Sequence, residues 1–105
     1  MRGDIYELKA NTHAKGHEQK GRRYAVVLQS DALPLSTVVA APTTTGSWDA
    51  SFHVEIEIHG RRSRVLVEQM AAVDPAQRFG RKVGRIGIDE QTEIDRVVRL
   101  VLGLF

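Results

Sequence analysis

The chain has 105 residues, 42% of them hydrophobic and 27% charged, with no cysteine. That length holds one core, so one domain over residues 1–105 is expected; the missing thiols exclude disulfides, thiolate metal sites, iron–sulfur clusters and cysteine nucleophiles. The formal charge is only +2, and there is neither an apolar leader nor an apolar run near the ~20 residues of a membrane span, so a soluble, cytoplasmic protein is expected.

Residues 4–9 (DIYELK) alternate well enough to predict a first strand. Residues 10–21 are polar, with two glycines, two histidines and no period, and read as an exposed loop; so long a loop in so small a domain is commonly functional. Residues 24–29 (YAVVLQ) form the continuous apolar run of a central strand buried on both faces. Pro34 breaks the chain after it. Residues 37–41 (TVVAA) make a β-branched run that Pro42 is expected to stop, leaving Thr43, Thr44, Thr45 and Gly46 as a turn.

Residues 52–59 alternate most cleanly, with Phe52, Val54, Ile56 and Ile58 on one face and His53, Glu55, Glu57 and His59 on the other. Gly60 and Arg61 are expected to turn this strand into an antiparallel partner over residues 63–69, which residues 70–73 either extend or follow as a short strand. Residues 79–88 alternate weakly and carry three glycines, as an exposed or bulged edge does. From about residue 90 to 102 the period changes. Ile94, Val97, Val98 and Val101 follow helical spacing, Asp89 is the expected N-cap, Glu90 and Glu93 sit near the positive end, and Arg96 and Arg99 point outward. The elements add up to a mainly β chain, a small curved antiparallel barrel with a C-terminal α-helix.

The modest net charge conceals segregation. Residues 1–30 hold six basic and three acidic groups, residues 31–60 none and four, residues 61–88 seven and two, and residues 89–105 two and four. If folding joins the basic stretches 15–23 and 61–85, the surface they make attracts a polyanion; scattered, they are solvated cations.

Four histidines raise the question of a metal. His13 and His17 are four apart, a spacing that shares a face only on a helix, and here it spans a glycine-containing loop without an acidic cluster. His53 and His59 read as surface or rim residues. No phosphate loop, dinucleotide fingerprint or serine elbow is present. Trp48 could stack on a base, although a lone Trp more commonly anchors a core or an interface. The cluster Arg61, Arg62 and Arg64 attracts phosphate or is simply solvated. Two stretches say more. Residues 16–27 deliver arginines to the start of the central strand, and residues 41–45 end a buried strand in hydroxyls. A guanidinium and a hydroxyl at the ends of neighbouring strands can hold a phosphodiester, one as a two-pronged donor and the other as a neutral one, although such residues also serve as solvated strand caps.

The stretches RGDIY (2–6), GHEQKGRRYAVVL (16–28) and APTTT (41–45), in this order and separation, resemble the MazF/PemK family of toxin–antitoxin ribonucleases across nearly the whole chain. Gln69, after Val65-Leu66-Val67-Glu68, resembles the glutamine this family carries before its last strands. The resemblance implies an SH3-like β-barrel of the MazF/CcdB type that forms a homodimer. It implies sequence-specific, metal- and cofactor-independent cleavage of single-stranded RNA, whether messenger, ribosomal or transfer, with inhibition of translation and growth. It also implies a cognate antitoxin whose acidic C-terminal segment lies along the dimer groove, DNA being bound only together with that antitoxin. Arg23 and Thr44 correspond to the family's catalytic residues, with Thr45 the alternative register; His17, Glu18, Gln19, Thr45 and Gln69 would border the substrate. The chain departs from the pattern at Tyr24, where proline is usual, and at Gly46, where glutamine is frequent. The implied chemistry uses the ribose 2′-hydroxyl as nucleophile. Arg23 suits charge stabilisation better than base catalysis, because free-base guanidine is scarce at neutral pH, whereas the His17 imidazole titrates in the right range. Leu100, Leu102, Leu104 and Phe105 suit a dimer contact. An alternative on the same fold is a CcdB-like toxin that cuts nothing and binds DNA gyrase.

Overall fold

The computed structural model describes residues 1–9, 23–46 and 50–105. Expectations for the loop at residues 10–21 and for Trp48 lie outside the described residues. The elements are β1 (Asp4–Leu8), β2 (Arg23–Val27), β3 (Val38–Thr44), β4 (His53–Ile58), β5 (Arg61–Leu66), β6 (Ala71–Val73), α1 (Pro75–Arg78), β7 (Phe79–Arg85) and α2 (Ile88–Leu102), with a 3-10 turn at Val67–Gln69 between β5 and β6. The strands form one curled antiparallel sheet in the order β4-β5-β3-β2-β1-β7, with β6 also on β3. This is the mainly β fold with a C-terminal helix that the sequence leads one to expect.

β3 is the hub. Its first residues pair with β6 and β2, Ala40 lying opposite both Ala71 and Val27, while its last two pair with β5, Thr43 opposite Val65 and Thr44 opposite Arg64. Pro42 does not stop the strand. It is the last residue on the β2 ladder, opposite Ala25, so the missing proline N–H falls where β3 exchanges one partner for another. The pairing supplied by β5 then keeps Thr43 and Thr44 extended.

Two apolar layers sandwich the central strands. Val26, Ala41, Val54, Ile56 and Val65 pack beneath α2 through Ile94 and Val97, and Ala25, Val27, Val38, Ala40 and Phe79 fill the opposite face. Tyr6 stacks on Phe79 there, ring centroids 4.8 Å apart. Burial on both faces is why β2 reads as a continuous apolar run. The β4–β5 turn is His59-Gly60, both with positive φ (52° and 75°), one residue earlier than expected. Two left-handed residues give the turn type that matches strand twist.

α2 begins at Ile88, earlier than its apolar stripe, because Glu90 reaches back to accept the Gly87 N–H at 2.7 Å; Gly87, and not Asp89, is the N-cap. Gly103 ends it in the left-handed conformation (φ 71°), with the Leu104 N–H donating to the Arg99 carbonyl at 2.8 Å. α1 was unexpected: Asp74 caps it through the Ala76 N–H, and Pro75 opens it. Residues 67–69, expected as strand, wind instead into the 3-10 turn.

Candidate functional site

Alternation along two neighbouring strands builds the site. On β2, Arg23 shares a face with Ala25 and Val27; on β3, Thr44 shares one with Val38, Ala40 and Pro42. These are the same face of the sheet. The ladder between the two strands ends with Ala25 opposite Pro42, and Arg23 and Thr44 each lie two residues beyond that rung. The three threonines are thereby told apart: Thr43 is buried on the α2 side, Thr44 stands on the face of Arg23, and Thr45 lies in the exposed bend beyond the strand. The Gly46 N–H donates to Thr44 Oγ1 at 3.2 Å. With an oxygen lone pair taken by the backbone, the hydroxyl proton is available to an outside acceptor.

Beside this pair is a depression of about 170 Å³ lined by Arg23, Ala25, Pro42, Gln69 and Arg78, among others. The 3-10 turn presents Gln69 there. Arg78 is held at its edge, its Nε donating to the Lys9 carbonyl at 3.3 Å. Partial burial lowers the Arg23 guanidinium from its ordinary pKa; it remains a cation at neutral pH, but one stripped of part of its water. Such a cation binds an anion more strongly than a fully hydrated one. The depression thus brings together Arg23 and Gln69; Thr44 lies on the same face two residues beyond Pro42, and Thr45 in the bend after it. His17, Glu18 and Gln19 lie outside the described residues.

One pair escaped the sequence reading. His53, expected at the surface, has a side chain only 3% exposed, with its Nε2 3.1 Å from Glu68 Oε2. It packs edge-on against Phe52, centroids 4.8 Å apart. Glu68 precedes Gln69 on the same turn, but neither Glu68 nor His53 lines the depression. Strand alternation could not show this, because the partner comes from the 3-10 turn.

The curled antiparallel sheet and the terminal helix make a small, mainly β half-barrel. A family model described as "PemK-like, MazF-like toxin of type II toxin-antitoxin system" matches residues 1–102, and the chain belongs to this family. It is 35% identical over 104 residues to a candidate toxin of Mycobacterium tuberculosis (Rv3098A), covering 99% of this chain and 98% of that one. It is similar to the MazF chain of a MazE-MazF crystal structure from Deinococcus radiodurans, with TM-score 0.80 and 27% identity over 99% of this chain and 96% of that one. An endoribonuclease in complex with its cognate antitoxin, from mycobacterial species, shares the fold at TM-score 0.80 and 18% identity over 100% and 96% of the chains.

Proposed function

We propose that the chain is a single-domain, cytoplasmic endoribonuclease toxin that cleaves single-stranded RNA at a short recognition sequence without a metal. The observation that carries this reading is the placement of Arg23 and Thr44 on one face at the rim of adjoining strands. The substrate 2′-oxygen attacks phosphorus as its proton passes to a base, the P–O5′ bond breaks, and the 5′-oxygen takes up a proton. The products are a 2′,3′-cyclic phosphate and a 5′-hydroxyl end. Arg23 neutralises the charge that develops on the phosphoryl oxygens, and Thr44 donates a hydrogen bond to them. Gln69 contacts the neighbouring nucleotide from the depression. Arg23 and His17 are the two candidates from the sequence for moving the protons, and Glu18, Gln19 and Thr45 border the RNA.

Family membership and the MazE-bound relative support a cognate antitoxin whose acidic segment covers the basic surface. Leu100, Leu102, Leu104 and Phe105 are exposed on and after the end of α2 and form the proposed homodimer contact. Among the described residues, no helix is long and apolar enough to cross a membrane. Incubation of the purified protein with single-stranded RNA in EDTA tests the reading. Discrete fragments with cyclic-phosphate ends are expected; an intact substrate overturns it, and retention of DNA gyrase in place of RNA would move the chain to the CcdB-like class.

A further inference from the structure

We propose that Arg64 forms a second phosphate subsite, holding the phosphodiester next to the one that Arg23 and Thr44 engage; the inference rests on the ribonuclease reading above. Thr44 has neighbours on both sides. β2, which carries Arg23 on the same face, pairs with β3 as far as Pro42 on one side, and β5 sets Arg64 directly opposite Thr44 on the other. Paired residues of an antiparallel ladder project from the same face, so Arg64 joins the face of Thr44 and Arg23. A row of guanidinium, hydroxyl and guanidinium therefore crosses three strands at the rim.

The three arginines at the start of β5 are not equivalent. Arg61 opens the strand beside the turn, opposite Ile58, and Arg62 faces Glu57. Arg62 donates to Glu55 at 2.9 Å with 82% of its side chain exposed, which leaves it a solvated ion pair at the far end of the hairpin. Arg64, half-buried, is the one that shares a rung with Thr44, and on β4 the same rung continues to Glu55.

Distance argues for two phosphates and not one. β2 and β5 flank β3, so their backbones stand about two strand spacings apart, roughly 10 Å. RNA carries one negative charge per nucleotide. A strand lying along the row meets Arg23 at the scissile phosphate and Arg64 at its neighbour. The arginine fork suits such an oxygen pair. Of the two arginines, Arg64 binds the phosphate that does not react. It therefore raises affinity without lowering the chemical barrier.

The test uses the full-length protein and the RNA sequence it cuts best. Arg64→Ala is expected to raise KM roughly tenfold, as loss of a charge-assisted hydrogen bond does, with kcat changed less than about twofold. Arg64→Lys should recover part of the loss, and Arg61→Ala, beside the turn and opposite Ile58, should match the parent. Binding to the same RNA with every 2′-hydroxyl methylated should show a log–log salt slope shallower by about 0.7 in Arg64→Ala, one phosphate contact fewer on a single strand. Replacing single phosphates by neutral methylphosphonates locates the contact: one position beside the cut should weaken the parent several-fold and leave Arg64→Ala unmoved. An unchanged salt slope, or equal sensitivity of both proteins at every position, overturns the subsite. If the parent cuts no RNA the ribonuclease reading fails by itself, and the binding slopes still decide the role of Arg64.

Discussion

The Arg2 guanidinium grips the Asp95 carboxylate with two hydrogen bonds of 2.8 and 2.7 Å, tying the residue that leads into β1 to the middle of α2. Gln91 donates to the same carboxylate at 2.9 Å, so Asp95 is held from its own helix and from the sheet. The pair is about a third exposed on each side, where solvent reduces such contacts to about 1 kcal/mol. Asp95→Ala should lower unfolding free energy by about that amount in urea titration, with the slope unchanged.

Arg23 carries the largest effect on the proposed chemistry. Arg23→Ala should reduce kcat by roughly 10²- to 10³-fold, the loss typical of a preorganised donor to a transition-state oxyanion. Arg23→Lys should recover only part, because an ammonium lacks the fork. Single-turnover cleavage of a defined RNA reads this directly.

The threonines separate by position. Thr44→Val should slow cleavage by about tenfold, the equivalent of one neutral hydrogen bond, while Thr44→Ser keeps the hydroxyl and most of the rate. Thr45→Val, in the bend beyond the strand, should affect rate less. If Thr45→Val is the slower of the two, the alternative register carries the chemistry.

Packing under α2 should dominate stability. Ile94 is 1% exposed in the cluster that joins the helix to β4 and β5. Ile94→Ala should remove about 2–5 kcal/mol by transfer loss and cavity formation. Chemical denaturation checks it, with far-UV circular dichroism confirming that the variant still folds.

Acid should weaken the fold through carboxylates with depressed pKa. Hydrogen bonding from Arg96 lowers Glu93, and the Arg2 backbone N–H lowers Asp31. A depressed carboxylate contributes stability above its unfolded pKa and loses it as pH falls through the folded one. The melting temperature should therefore hold from neutral pH to about 5 and fall below about 4. Both groups are on the surface, so the contribution of each is small and should shrink further in high salt. Glu93→Gln should flatten part of the slope.

Much of this architecture is readable from residue order alone. β4 is legible because every second residue, Val54, Ile56 and Ile58, is buried against polar neighbours, and α2 because its stripe repeats at helical spacing. The end of β3 is not legible. Nothing local keeps Thr43 and Thr44 extended past Pro42; β5, some twenty residues later, does so by pairing with them. For the same reason the sequence shows Arg23 and Thr44 at strand ends but not that they share a face of the sheet. The His53–Glu68 contact depends on a 3-10 turn whose residues read as strand.

The exchange of partners at Pro42 also bears on when the rim comes into being. β3 must find β2 behind it in the chain and β5 and β6 ahead of it, while β1 must wait for β7 to close the sheet. Such non-local pairing makes folding slow compared with a helical bundle of equal length. While the chain is being made, Thr44 emerges from the ribosome before β5 does. A polypeptide of this order completes the Thr44 end of β3 only after β5 has followed it out.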